Sequence, residues 1–223
     1  MLILNIETAI EKGSFCVSKD GVVIDFDICE QRNGLAGWLH ESIQASLKRN
    51  GILPEQLDAV AVSNGPGSYT GLRIGLATAK GLCYALKKPL ICINTLQIMA
   101  GAVLAEAKDF ICPMIDARRM EVFAAVFDMQ LNTVEEPAAL VLTSDYYNNI
   151  LENHHITFTG NGSEKLKSLV NEKKNISFVN NTIDARSMIS LSEPLFGKKI
   201  FANVAYSEPY YVKDVYISVK AKT

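Results

Sequence analysis

Residues 63–82 read "SNGPGSYTGLRIGLATAKGL", and the fold turns on how this stretch is taken. It follows "LDAVAVS" at 57–63, a short run apolar on both faces, which is the form of a strand buried inside a partly parallel sheet. The sequence therefore predicts a strand, a glycine-rich loop and a helix reaching about Leu86. Lys87 and Lys88 suit the negative end of that helix, and Pro89 stops it.

The glycines pose the central question. A Walker-type phosphate loop needs a lysine after its second glycine, to answer the phosphate charge that backbone N–H groups surround. Here Gly67 and Gly71 are followed by Leu72 and Arg73, with no such lysine. A dinucleotide fingerprint fails too, because Gly65-x-Gly67 leads to Thr70 and the next strand, "LICINT", ends in Asn94 rather than an acid. Within the helix, Gly71, Gly75, Ala79 and Cys83 fall at every fourth position and form a strip of small side chains. Interior helical glycines cost about 1 kcal/mol each against alanine, so such a strip calls for close approach of another backbone. That backbone belongs either to this chain's own sheet or to a partner.

Working outward, Leu2–Ile6 and the alternating stretches at 14–19 and 22–28 read as three strands in a meander, with Asp20-Gly21 as a hairpin turn. Leu35, Leu39, Ile43 and Leu47 mark a first helix that Asn50-Gly51 ends. "LICI" at 90–93 is a strand, and Thr95 caps a third helix running to about Ala107. A second unit repeats the plan: strands at 110–116, 121–128 and 138–143, a helix near 144–152, the strand "ITFTG" and helices from Ser163 and Asp184. The class is α/β, with domains at 1–107 and 108–223 whose mixed sheets are flanked by helices.

Composition narrows the function. Of 223 residues, 48% are hydrophobic and 21% charged, an ordinary globular balance. With 22 basic and 24 acidic residues the net charge is -2, which argues against holding nucleic acid unaided; Lys173-Lys174 and Lys198-Lys199 read as solvated surface. Five cysteines lack a C-x-x-C pair and lie mostly in apolar surroundings, as free thiols in a reducing cytoplasm do. The N-terminus has no secretory pattern, and the uncharged run 89–105 is interrupted by Asn94, Thr95 and Gln97, against a membrane span.

Four islands carry a family resemblance: "ILNIETA" at the start, the glycine stretch, "IDARRMEVF" at 115–123 and "EPYYVKD" at 208–214. They resemble the TsaB family, formerly YeaZ, closely in the first half and by two islands in the second. The resemblance implies two ribonuclease H-like domains of the actin-like (ASKHA) superfamily. It further implies a non-catalytic subunit that binds its paralogue TsaD, which transfers a threonylcarbamoyl group to tRNA adenosine, and helps recruit the ATPase TsaE. ATP is then handled mainly by partners, tRNA contact is indirect or weak, and without TsaD the chain pairs with itself. On this reading the partner surface comprises Leu39, Ile43 and Leu47 with Thr70, Gly71, Leu72, Arg73, Gly75, Leu76 and Ala79.

Catalytic groups are few. Glu7-Thr8 ends the first strand where ATP-using actin-like proteins place a metal-serving acid, but the glycine turn expected after it is missing; Glu7 is then either a vestige or a simple strand end. Asp116 and Arg118 stand in a turn that either binds an anion or ties two strands through an aspartate–arginine pair. Gly160 and Gly162 in "FTGNGSEKL" form either the relic of an adenosine loop or an ordinary helix start at Ser163. His40, His154 and His155 make no H-x-x-x-H or H-E-x-x-H motif, so no metal ligand set and no catalytic residue is assigned. The competing reading is an independent actin-like ATPase or a glycoprotease-like metallopeptidase.

Overall fold

The computed structural model describes residues 1–30, 34–143, 147–148, 153–170 and 175–213. The helix expected near 144–152, Tyr147 and Asn148 apart, lies outside these residues, as do Lys173-Lys174 and Asp214.

The first sheet opens with β1 (Leu2–Glu7), β2 (Gly13–Lys19) and β3 (Val22–Cys29) as an antiparallel meander. The β2–β3 turn places Asp20 at φ 49° and Gly21 at φ 79°, the left-handed pair that a two-residue hairpin requires. Helix α1 (Leu35–Arg49) follows and ends at Gly51, φ 65°. Strand β4 (Ala59–Gly65) then pairs parallel with β1, α2 (Tyr69–Leu86) crosses back, and β5 (Leu90–Asn94) pairs parallel with β4. The order is β3-β2-β1-β4-β5. Helix α3 (Thr95–Ala102) is capped by Asn94, whose side chain accepts from the N–H groups of Leu96 and Gln97. The cap is thus one residue earlier than expected, because Asn94 keeps the extended backbone of β5.

The second sheet comprises β6 (Phe110–Asp116), β7 (Glu121–Asp128), β8 (Thr133–Val141), β9 (Ile156–Thr159) and β10 (Ile176–Val179). Its order, β10-β9-β6-β7-β8, repeats the first sheet strand for strand, with the same antiparallel meander and parallel pairings. Strand β8 starts five residues earlier than expected and carries Pro137, which an edge strand tolerates. Strand β10 was not foreseen, since four half-buried residues give little alternation to read. The helix from Ser163 is only α4 (Ser163–Lys167). Asp184 caps a 3-10 turn at Ala185–Met188 that leads into α5 (Ile189–Gly197).

Among the described residues, three large apolar layers and a small cluster around Cys16, Ala185 and Ile189 are buried. One lies between the sheets and joins Ile3, Ala61 and Ile93 to Leu96 and Met99 of α3 and to Ile111, Ala125 and Phe127. On the other side of the first sheet, Leu4, Ile6, Phe15 and Val17 meet Leu39, Ile43 and Leu47 of α1 and Leu76, Ala79 and Cys83 of α2. The outer face of the second sheet packs Met114, Val126 and Phe158 with Leu166.

The small-residue strip of α2 faces this interior. A Cβ added at Gly71 would strike the carbonyl oxygen of Thr8, and one at Gly75 would strike the Thr8 hydroxyl. Gly81, on the opposite face, has open space. Gly71→Ala is therefore expected to destabilise the fold by about 1–3 kcal/mol through overpacking. Gly81→Ala is expected to be neutral or to stabilise by up to about 1 kcal/mol through helix propensity. Chemical denaturation of both variants checks the contrast.

Candidate functional site

Four loops meet where the two sheets face each other: Thr8–Glu11 after β1, Gly65–Ser68 before α2, Ala117–Met120 between β6 and β7, and Gly160–Gly162 after β9. The first two are locked together by a hydrogen bond from Ser68 N–H to the Ala9 carbonyl at 2.6 Å. Gly67 is required there, since a Cβ would strike that same carbonyl. The Gly65–Pro66 peptide is cis.

Between these loops lie two joined clefts. One, of about 370 Å³, has an apolar floor of Ile10, Ile28, Met99, Ile115 and Ile183, and a polar rim that includes Asn161, Asn181 and Asp184. The other, of about 470 Å³, is bordered by Ala9–Glu11, Gly67–Thr70, Ile115–Arg118 and Phe123. Ile10, Glu11, Ile115 and Asn161 line both.

The predicted cleft residues divide. Asp116 and Arg118 line the larger cleft and Gly160 the smaller. Gly160 has φ 90°, and a Cβ there would strike Met99 and the Met114 carbonyl. Gly162 is buried under β6 rather than open to the cleft: a Cβ would lie 3.0 Å from the carbonyl carbons of Met114 and Ile115. Glu7 and Thr8 are buried behind the loops. One Glu7 oxygen accepts from Ala9 N–H at 2.7 Å and from Ser63 Oγ at 3.2 Å, while the other has no partner among the described residues. Burial raises the Glu7 carboxyl to about 7, against the lowering effect of those hydrogen bonds.

Of the two readings of the turn after β6, the tie is present but is made by a lysine side chain and not by an arginine one. Asp116 accepts from Lys165 Nζ at 2.7 Å and from the backbone N–H of Arg118 at 2.6 Å. Its carboxyl is held below the usual range chiefly by the Lys165 hydrogen bond. Lys165 was passed over because it stands 49 residues away in sequence. Asn161 was missed as well, although its side chain accepts from Asp116 N–H at 2.9 Å and it borders both clefts.

The predicted partner surface needs correction. Leu39, Ile43, Leu47, Gly71, Leu72, Gly75, Leu76 and Ala79 are all buried in the chain's own interior, leaving only Thr70 and Arg73 exposed. The i, i+4 spacing marked the faces of α1 and α2 that grip the first sheet. The outward face of α2 carries Thr70, Arg73, Ala77, Gly81 and Tyr84 instead. His40 is exposed on α1, and His154 edges against the Phe110 ring at 4.7 Å. Burial pushes the thiols of Cys16, Cys83 and Cys112 up to about 12, poor nucleophiles at neutral pH.

The family model for TsaD, tRNA N6-adenosine threonylcarbamoyltransferase, matches residues 34–223. The Escherichia coli (strain K12) tRNA threonylcarbamoyladenosine biosynthesis protein TsaB is 34% identical over 136 residues, covering 60% of this chain and 58% of that protein. The chain belongs to the family that this TsaD model describes, and is similar to its TsaB (YeaZ) relatives. The Bacillus subtilis (strain 168) TsaB is 29% identical over 127 residues, 54% of each chain. The matches thus span little more than half the length of these relatives. In fold, the crystal structure of a Pseudomonas aeruginosa protein described as similar to peptidase YeaZ superposes with TM-score 0.80, over 95% of this chain and 99% of that one, at 20% identity. No helix among the described residues is long and apolar enough to cross a membrane.

The Glu7 carboxyl gives a pH signature. Its folded value, about 7, lies above the ordinary 4.5, so the folded state binds the proton more tightly. The stabilising effect is full below about 4.5 and is lost as pH rises through about 7. Glu7→Gln is expected to remove this loss, on the order of 3 kcal/mol, so that urea midpoints of variant and wild type diverge from pH 5 to pH 8 in the variant's favour.

Proposed function

We propose that this TsaB-family chain is a non-catalytic subunit of the machinery that makes threonylcarbamoyladenosine in tRNA, built from two ribonuclease H-like domains at 1–107 and 108–223. It acts in the cytoplasm, holds TsaD in a competent arrangement and forms part of the surface at which TsaE docks. It pairs with itself when TsaD is absent. It needs no cofactor of its own, and tRNA is held chiefly by the partner.

The observation that carries this reading is the outward face of α1 and α2. These helices pack side by side on the first sheet, and beside Thr70 and Arg73 they expose Ala77 and Gly81 of α2 and Ala36 and Gly37 of α1. Small exposed side chains there let two helices of another molecule approach closely. The relation to TsaD supplies a partner of like architecture, since a paralogue presents matching helices. The state of Glu7 gives further support. An acid that serves a metal must face the nucleotide, whereas Glu7 is wholly buried and turned onto Ala9 and Ser63.

The second reading, an actin-like ATPase in its own right, draws on the joined clefts between the sheets. Calorimetric titration with Mg-ATP separates the two, because micromolar affinity or turnover by the isolated chain favours the enzyme.

Co-purification with TsaD of the same organism tests the first reading. Wild type is expected to form a complex, and Gly81→Arg to weaken it by at least about 100-fold, roughly 3 kcal/mol, because the arginine obstructs the close approach. A Gly81→Arg complex of normal affinity on size-exclusion chromatography overturns the assignment of this face.

A further inference from the structure

The inner face of the second sheet is covered over only part of its width. Phe123 of β7 joins the layer between the sheets, and β8 lies beside it with Ala139 opposite Phe123 and Val141 opposite Glu121. Residues directly opposite in an antiparallel pair share a face, so Ala139 and Val141 look inward as well. Yet, among the described residues, none from β8 belongs to that layer. Val141 is 61% exposed, and Met120, whose carbonyl accepts from Leu142 N–H, is 42% exposed.

Charged groups stand without partners at both ends of this strip. Arg118 and Arg119, in the turn before β7, are exposed, and their guanidinium groups form no hydrogen bond or ion pair among the described residues. The same holds for the carboxylates of Glu135 and Glu136, toward the other end of β8. Glu121, between the arginines and the strip, is already answered by Lys213.

That lysine belongs to a stretch of chain led to this place. The stretch 202–213 returns from α5 to the first sheet and is pinned along α2. Lys80 Nζ donates to the carbonyls of Ala205 and Ser207, and Tyr210 N–H to the Asn64 carbonyl. It ends beside Phe123, where Lys213 Nζ donates to both Glu121 oxygens at 2.8 and 3.0 Å. From there the sequence continues "DVYISVKAKT" at 214–223. Val215, Ile217 and Val219 alternate with Tyr216, Ser218 and Lys220, the period of an extended segment with one aliphatic side. Asp214 precedes this run, and Lys220 and Lys222 close it.

We propose that residues 214–220 of this chain pack antiparallel to β8 across its inner face. Val215, Ile217 and Val219 cover Ala139 and Val141, Asp214 meets Arg118 and Arg119, and Lys220 meets Glu136. The spacing matches: from Val215 to Lys220 is as many steps as from Val141 back to Glu136, about 17 Å of extended chain in each. A parallel course would carry both lysines past Val141, away from the carboxylates. Addition as a further strand is disfavoured because Pro137 blunts the edge of β8. Attachment at Lys213 gives the segment a local concentration on the order of millimolar, which no separate molecule shares. The stretch 202–220 then ties α2 to the far edge of the second sheet, past the side of the larger cleft that Arg118 borders. This contact does not depend on the subunit role.

Thiol labelling of Val141→Cys in the full-length chain tests it, with the wild-type chain correcting for the native cysteines. Labelling is expected to be at least about tenfold slower than in the same variant carrying Val215→Asp and Ile217→Asp. Lys220→Glu is expected to speed it by about two- to fivefold. Under mild oxidation Val141→Cys is expected to cross-link within one molecule to Ile217→Cys and not to Ser218→Cys, which lies on the other side of the segment. Circular dichroism confirms that each variant is folded. Equal labelling with and without the two aspartates overturns the inference. So does equal cross-linking at 217 and 218, or protection of Val141→Cys that grows with protein concentration, since a second copy then covers the strip.

Discussion

The structure depends on one close approach, Thr8 and Ala9 lying directly on Gly67 and on the glycine face of α2. Gly67, Gly71 and Gly75 each leave space that a single methyl group would fill against that segment, and Ser68 donates to the Ala9 carbonyl. Because side chains are absent, the helix start sits against the end of β1 rather than a side-chain width away. That contact aligns α2 on the first sheet, seals Glu7 beneath the loops and sets the edge of the larger cleft.

The outward surfaces follow from it. Once α2 turns its glycine face inward, Ala77 and Gly81 must face solvent beside α1, and Tyr69 must stand at the mouth of the cleft. The returning C-terminal stretch then lays its tyrosines next to Tyr69. Two neighbouring surfaces of different chemistry result: one that exposes Ala77 and Gly81 of α2 beside α1, and one of rings and arginines.

Much of the fold was legible in the sequence, and the reasons are local. Left-handed Asp20-Gly21, Gly51 and the apolar spacing of α1 and α2 each report a geometry enforced within a few residues. Strand β10 and the early start of β8 were not legible, since half-buried edge strands show weak alternation. The site was less readable still. Asp116 pairs with Lys165 and Tyr211 with Arg73, partners 49 and 138 residues apart that no spacing rule connects.

By itself the sequence determined the element order of the first half, the doubled plan of the two halves and the need for a close neighbour at Gly71 and Gly75, since short-range sterics and hydrophobic period are written residue by residue. Only the tertiary structure decided that this neighbour is the chain's own Thr8. An i, i+4 row of small residues has the same spacing whether it meets its own sheet or a foreign helix. The choice rests on where Thr8 lands after the chain has folded over 60 residues, a long-range packing outcome that local pattern does not encode.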